Sequence, residues 1–270
     1  FTELVTEKAV DFIDRGSDQP FFLYVPYSAP HYPMHAPKSY VDRYPNLPPD
    51  RRIMAAMISA MDDGVGAIVK ALKAAGEYEN TMIFFSSDNG PSRETRNWLD
   101  GNEDHYYGGT AGIFRGHKGS VFEAGIREPT IMSFPGRIPE GQISDDVGAM
   151  FDVLPTFFDF AGIDPPENLD GKSVTKTVTE GDESPHHQLF WEYAASQLAV
   201  RQGKWKLSVN GRNDNKSGLA PRDPDLPEEV HLADLTSDPG ERVNLAKSNP
   251  ELVDQLMEDL QSWATEIQLD

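Results

Sequence analysis

Apolar positions open this chain at helical spacing. Leu4, Val5, Ala9, Phe12 and Ile13 share one face and predict an amphipathic helix. The run Phe21-Phe22-Leu23-Tyr24-Val25-Pro26-Tyr27 is apolar at every position, the pattern of a strand buried on both faces of a sheet. A proline-rich loop follows to Pro49. Ile53, Met57, Met61, Val65, Ile68 and Leu72 then recur near helical spacing and predict a long helix over 51–75, closed by Gly76. Strands are predicted over 82–87 and 130–134, and a helix over 151–161 that ends at Gly162. Strand, helix and strand with a crossover of this length form the βαβ signature of a sheet packed by helices.

The pattern changes after Gly162. Residues 164–185 are rich in Pro, Gly, Thr and acidic side chains and read as a linker or surface excursion. Beyond it, 189–193, 198–201 and 205–209 are closely spaced apolar runs with a turn at Gln202-Gly203, which predicts an antiparallel meander. A short strand over 231–235 and a closing helix over 250–267 complete the chain. The expected fold class is α/β: a mixed, mostly parallel sheet sandwiched by helices over 1–180, then a smaller antiparallel sheet plus helix over 181–270.

Composition narrows the partners. The 270 residues hold 38% hydrophobic and 25% charged side chains, as a globular protein does. A formal net charge of -20 disfavours nucleic acid and anionic membrane surfaces. No apolar run is long enough to suggest a membrane span. With no cysteine, disulfides, thiolate metal sites and cysteine nucleophiles are excluded from this chain.

Three places carry candidate chemistry. The strand over 82–87 stops at Asp88-Asn89-Gly90, which puts a carboxylate and an amide oxygen at a strand's carboxyl end. Paired hard oxygens suit Ca²⁺ or Mg²⁺, although Asn-Gly is also a common turn pair. Lys118 stands in the glycine-punctuated stretch Gly116-His117-Lys118-Gly119, a point charge suited to a tetrahedral oxyanion or simply a solvated lysine. His31 lies between Pro30 and Pro33, which stiffen its loop, and by itself reads as a loop histidine packed on Tyr32 or Tyr27. His35, His105, Arg115 and His117 flank these places and are candidate pocket-lining residues, as surface loops also collect. Glu123 and Arg127 are read as a pair that holds the Lys118 loop.

Taken in order, Ala29-Pro30-His31-Tyr32-Pro33-Met34-His35-Ala36-Pro37, Phe84-Phe85-Ser86-Ser87-Asp88-Asn89-Gly90 and Gly116-His117-Lys118-Gly119-Ser120-Val121-Phe122-Glu123-Ala124-Gly125-Ile126-Arg127-Glu128-Pro129 resemble the sulfatase family of the alkaline phosphatase superfamily. The stretches Ala199-Val200-Arg201-Gln202-Gly203-Lys204-Trp205-Lys206-Leu207 and Asp234-Leu235-Thr236-Ser237-Asp238-Pro239-Gly240-Glu241-Arg242-Val243-Asn244-Leu245-Ala246 resemble its C-terminal subdomain. The resemblance implies that Asp88 and Asn89 bind a divalent cation, usually calcium, with further carboxylates from a strand near the family's amino terminus. It implies that Lys118 contacts the sulfate and that His31 protonates the departing alcohol, while a formylglycine hydrate attacks sulfur.

The family's nucleophile motif, Cys-x-Pro-Ser-Arg or Ser-x-Pro-Ser-Arg, is not found. Asn89-Gly90-Pro91-Ser92-Arg93 shares only its ending. The chain is therefore expected to be a C-terminal portion whose formylglycine lies in a missing amino-terminal half, inactive by itself and partnered by that half. The substrate class expected is a sulfate ester, with the aromatic loop around Trp98, His105, Tyr106 and Tyr107 favouring a carbohydrate. The family implies a periplasmic, secreted or lysosomal setting. Two alternatives stay open: a phosphonate or phosphate ester hydrolase of the same superfamily, and a non-catalytic module binding a glycan or partner chain.

Overall fold

A computed structural model describes residues 1–16, 18–92, 97–99, 102–104, 109–194, 196–212 and 229–268. Along the chain run α1 (Thr2–Asp14), α2 (Lys38–Val41), α3 (Pro49–Ala75), β1 (Ile83–Ser86), β2 (Asn97–Leu99), β3 (Asn102–Asp104), α4 (Glu123–Ile126), β4 (Thr130–Ser133), α5 (Val153–Ala161), α6 (Thr175–Glu180), β5 (Gln188–Tyr193), β6 (Gln197–Gln202), β7 (Trp205–Val209), β8 (Val230–Asp234) and α7 (Pro250–Gln268). No helix among the described residues is long and apolar enough to cross a membrane.

The described chain divides into two compact units. The first gathers residues 1–81, 92–110 and 134–136. Helix α3 starts at Pro49, where the missing N–H would have had no helical partner. It ends at Gly76 with a φ of 77°, the left-handed cap that glycine adopts without strain. Gly64 lets α1 approach α3, since a Cβ there would stand 2.4 Å from Thr6 Oγ1 and 2.7 Å from Tyr27 OH. Those two oxygens are hydrogen-bonded to each other at 2.7 Å.

The stretch 21–27 departs from the expectation of a doubly buried strand. It belongs to no ladder, and its side chains alternate between half-buried and exposed, with Phe22 71% and Tyr24 75% accessible. Phe21 packs edge-on against Phe12 at 5.6 Å. Apolar composition alone does not make a strand: ladder bonds need a neighbour, and none of the described residues supplies one. The expected βαβ crossover is accordingly not closed among them.

The second unit gathers residues 82–91, 111–133 and 137–270. Strands β1 and β4 pair antiparallel, with Ile83 opposite Ser133 and Ser86 opposite Thr130. A four-stranded antiparallel sheet runs in the order β5-β6-β7-β8, as the meander pattern predicts. Val200, Leu207, Val209 and Leu232 from this sheet bury against Leu256 and Leu260 of α7. Each such side chain contributes about 1.5–3 kcal/mol on leaving water. Phe190 stacks on Trp263 with centroids 5.2 Å apart. The expected linker over 164–185 instead contains α6 and is tied down, with the Lys172 and Val174 amides donating to Asp152 and Thr156. The molecule is of the α/β class, and every ladder among the described residues is antiparallel.

Candidate functional site

Strand β1 delivers Asp88 and Asn89 two and three residues past its end. The next two residues bind them to the lysine loop. Gly90 N–H donates to Gly125 O at 3.4 Å, and Lys118 N–H donates to Pro91 O at 3.0 Å. The approach is close enough that a Cβ at Gly90 would lie 1.7 Å from Ala124 O. Gly116 and Gly119 turn the loop with φ of 94° and 85°, values that residues with a Cβ rarely adopt. His117 is buried, and its Nδ1 donates to Lys118 O at 2.7 Å, since a carbonyl only accepts. Asp88–Asn89, His117 and Lys118 thus sit in one folded piece.

The donors fit a hard cation in kind. Asn89 Nδ2 donates to Gly90 O at 3.1 Å, which leaves Oδ1 as the acceptor end. Glu128, which the sequence offered only as one letter of a motif, joins this corner. The register that sets Ser86 opposite Thr130 continues toward Asp88 and Glu128. Glu128 Oε1 is buried and finds no hydrogen-bond partner among the described residues. Burial, and then the charge of Asp88, push its carboxyl up to about 7. A carboxylate oxygen without a hydrogen-bond partner near Asp88 is chemically suited to a cation. Among the described residues no three His, Asp or Glu side chains gather to hold a metal by themselves. Calcium takes six to eight oxygens, more than Asp88, Asn89 and Glu128 could supply.

Behind the loop lies a buried ionic cluster. Lys206 Nζ, from the middle of β7, stands 2.8 Å from Glu123 Oε1 and 3.1 Å from Glu241 Oε1, with all three side chains inaccessible. Burial opposes ionisation of Glu123, but Lys206, Arg201 and Arg127 together hold its carboxyl below the usual range. Arg127 Nη1 reaches Glu123 Oε2 at 3.6 Å, the pairing the sequence suggested. Arg115 is part of this scaffold. Its guanidinium lies 3.8 Å over the Phe122 ring, donates to Glu241 O at 3.2 Å and approaches His231 Nδ1 at 3.3 Å. Burial, and next the Arg115 charge, push His231 down to about 4, so the imidazole is neutral and accepts from Arg115.

In the first unit, His31 is exposed; its ring lies 4.4 Å from that of Tyr32, and its Nδ1 donates to Tyr32 O at 2.7 Å. A carbonyl only accepts, so Nδ1 carries the proton of that bond. His35 is exposed. His105, with Tyr106 and Tyr107, lies outside the described residues.

Comparison with known proteins identifies the family. The Sulfatase profile matches residues 1–163, and that of N-sulphoglucosamine sulphohydrolase, C-terminal, matches residues 109–266. The chain belongs to the sulfatase family. An arylsulfatase of Hemicentrotus pulcherrimus is 35% identical over 207 residues, covering 76% of this chain and 35% of that one. The N-acetylgalactosamine-6-sulfatase of Mus musculus is 31% identical over 275 residues, covering 94% of this chain and 50% of its own length. The chain thus spans about half the length, or less, of these curated relatives. Among solved structures, that of Ps i-CgsB in complex with k-i-k-neocarrahexaose superposes with a TM-score of 0.80 at 29% identity, over 97% of this chain and 54% of the other.

Proposed function

We propose that this chain contributes the cation-binding strand end, the sulfate-contacting lysine and the general acid of a sulfuric ester hydrolase that acts on a sulfated carbohydrate. The observation that carries this reading is the Lys118 N–H to Pro91 O bond, which fixes the lysine loop to the Asp88-Asn89 corner. A sulfate ester presents three oxygens that share negative charge, and cleavage builds charge on the bridging oxygen. Lys118 supplies a point charge to the sulfate oxygens, and His31 Nε2 supplies a proton to the leaving alcohol. Asp88 and Asn89 would hold the cation, calcium or alternatively magnesium, which would act as a Lewis acid toward the sulfate. The nucleophile, a formylglycine in this family, lies in a partner amino-terminal half, and residues 1–270 alone hydrolyse no sulfate ester. The mouse relative's name and the neighbour in complex with k-i-k-neocarrahexaose support a carbohydrate substrate. A secreted, periplasmic or lysosomal setting accords with it.

The test is sulfate release by the full-length polypeptide containing this chain. Carrageenan oligosaccharide, N-acetylgalactosamine 6-sulfate and an aryl sulfate serve as substrates, with a phosphonate monoester as competitor. Carbohydrate sulfate is expected to turn over fastest, and Lys118→Ala or His31→Ala to lower kcat by about 10²–10³. Faster phosphonate turnover would overturn the reading.

A further inference from the structure

The turn Asp238-Pro239-Gly240-Glu241 has no part in the chemistry above, yet its last residue is wholly buried. Glu241 holds a φ of 49°, a left-handed conformation that a residue with a Cβ adopts at a cost. Two hydrogen bonds and an ion pair compensate. Its Oε2 accepts the Glu123 N–H at 2.6 Å, its Oε1 lies 3.1 Å from Lys206 Nζ, and its carbonyl accepts from Arg115 Nη1 at 3.2 Å. Arg115 and Glu123 are the two ends of the Lys118 loop, which is itself closed by Ala124 N–H donating to Arg115 O at 2.7 Å. One residue therefore grips both ends of the loop. Lys206, shared with Glu123 at 2.8 Å, keeps the carboxylate of Glu241 aimed at the amide.

We propose that Glu241, oriented by Lys206, is a positioning residue that fixes the loop 115–124 and thereby the stance of Lys118. This rests on the reading of Lys118 as the sulfate contact. A cluster that merely added stability would be replaceable by apolar side chains of similar volume, as buried ion pairs often are. A clamp is not, because the Glu123 amide needs an acceptor at that point.

The experiment uses the full-length polypeptide containing this chain and measures amide hydrogen exchange, melting, and kcat and KM for the sulfate ester. Glu241→Ala is expected to speed exchange across 115–125 about tenfold or more, with β5–β8 and α7 changed less than about twofold. It is expected to lower kcat by about tenfold or more while KM changes less. Glu241→Gln, which keeps an acceptor for the amide, is expected to restore most of both. Unchanged exchange over 115–125 in Glu241→Ala, or exchange raised equally everywhere, overturns the proposal. Should the alanine variant fail to fold, Glu241→Asp keeps the charge and shortens the reach. Exchange there that matches the parent protein overturns the proposal equally. Exchange does not depend on turnover, so a loosened loop in a polypeptide without sulfatase activity would sink the functional reading and leave the clamp standing.

Discussion

Lys118 and Pro91 are joined through their backbones, the lysine N–H donating to the proline carbonyl at 3.0 Å. The bond lies two residues beyond Asn89. The Asp88-Asn89 corner and the main chain at Lys118 are therefore tied by one short stretch of backbone, independently of any side-chain rotamer.

Gly90→Ala tests how tight that seam is. The new methyl would meet Ala124 O at 1.7 Å, a backbone atom that cannot yield without moving the lysine loop. The variant is expected to lose about 2–4 kcal/mol of stability and most calcium binding. Thermal melting of the full-length polypeptide, with and without calcium, checks both.

Calcium affinity follows from the donors present. With Asp88 and Asn89 as the only assigned ligands, residues 1–270 alone are expected to bind calcium no more tightly than about millimolar. Calorimetric titration is the check, and Asp88→Asn should abolish the signal. Micromolar binding would mean that other residues of the chain complete the sphere.

Glu128 makes a prediction with a definite sign. Its carboxyl titrates at about 7 in the folded protein instead of near 4.5. The unfolded chain therefore releases the proton first, and this group costs stability as pH rises from 4.5 toward 7. In buffer with a chelator at pH 8, Glu128→Gln is expected to raise stability by about 1 kcal/mol, allowing for solvent screening. Calcium should diminish the difference. A melting temperature that falls on substitution would show that the carboxylate has a partner.

His231 behaves in the opposite sense. Its folded value of about 4 lies below the ordinary 6.5, so between these values the unfolded state binds the extra proton. Stability contributed by the neutral imidazole is present above pH 6.5 and is lost as pH falls toward 4. The slope is at most one proton, about 1.4 kcal/mol per pH unit. His231→Gln keeps an acceptor for Arg115 and should flatten this part of the stability curve, which chemical denaturation at pH 4.5, 5.5 and 6.5 measures.

What the sequence disclosed tracks the range of the interactions involved. The helices α3 and α7 and the meander β5–β8 were legible because their apolar spacing is local. The turns that carry Asp88, Asn89 and Lys118 were legible through the glycines that punctuate them. Strand pairing over 21–27 was misjudged, because composition does not report whether a neighbour exists to complete the ladder. Arg115 was offered as a pocket residue, but its contacts with Phe122, His231 and Glu241 bridge well over a hundred positions for the last two. Glu128 and Glu241 were missed for the same reason. Each draws its meaning from partners that no spacing rule connects.

The seat of the Lys118 loop is built from distant polypeptide: Gln197 Nε2 donates to Gly119 O at 2.8 Å, Ser120 Oγ donates to Arg212 O at 2.6 Å, and Lys206 and Glu241 grip Glu123. Recombination must respect that seat. A chimaera spliced at residue 180 between two sulfatases would place one parent's lysine loop on the other parent's sheet. Lys118 would then be displaced although every residue of its own loop was retained. Grafting a new specificity onto this scaffold accordingly means transplanting 115–129 together with β6, β7 and the 238–241 turn, as one heritable block.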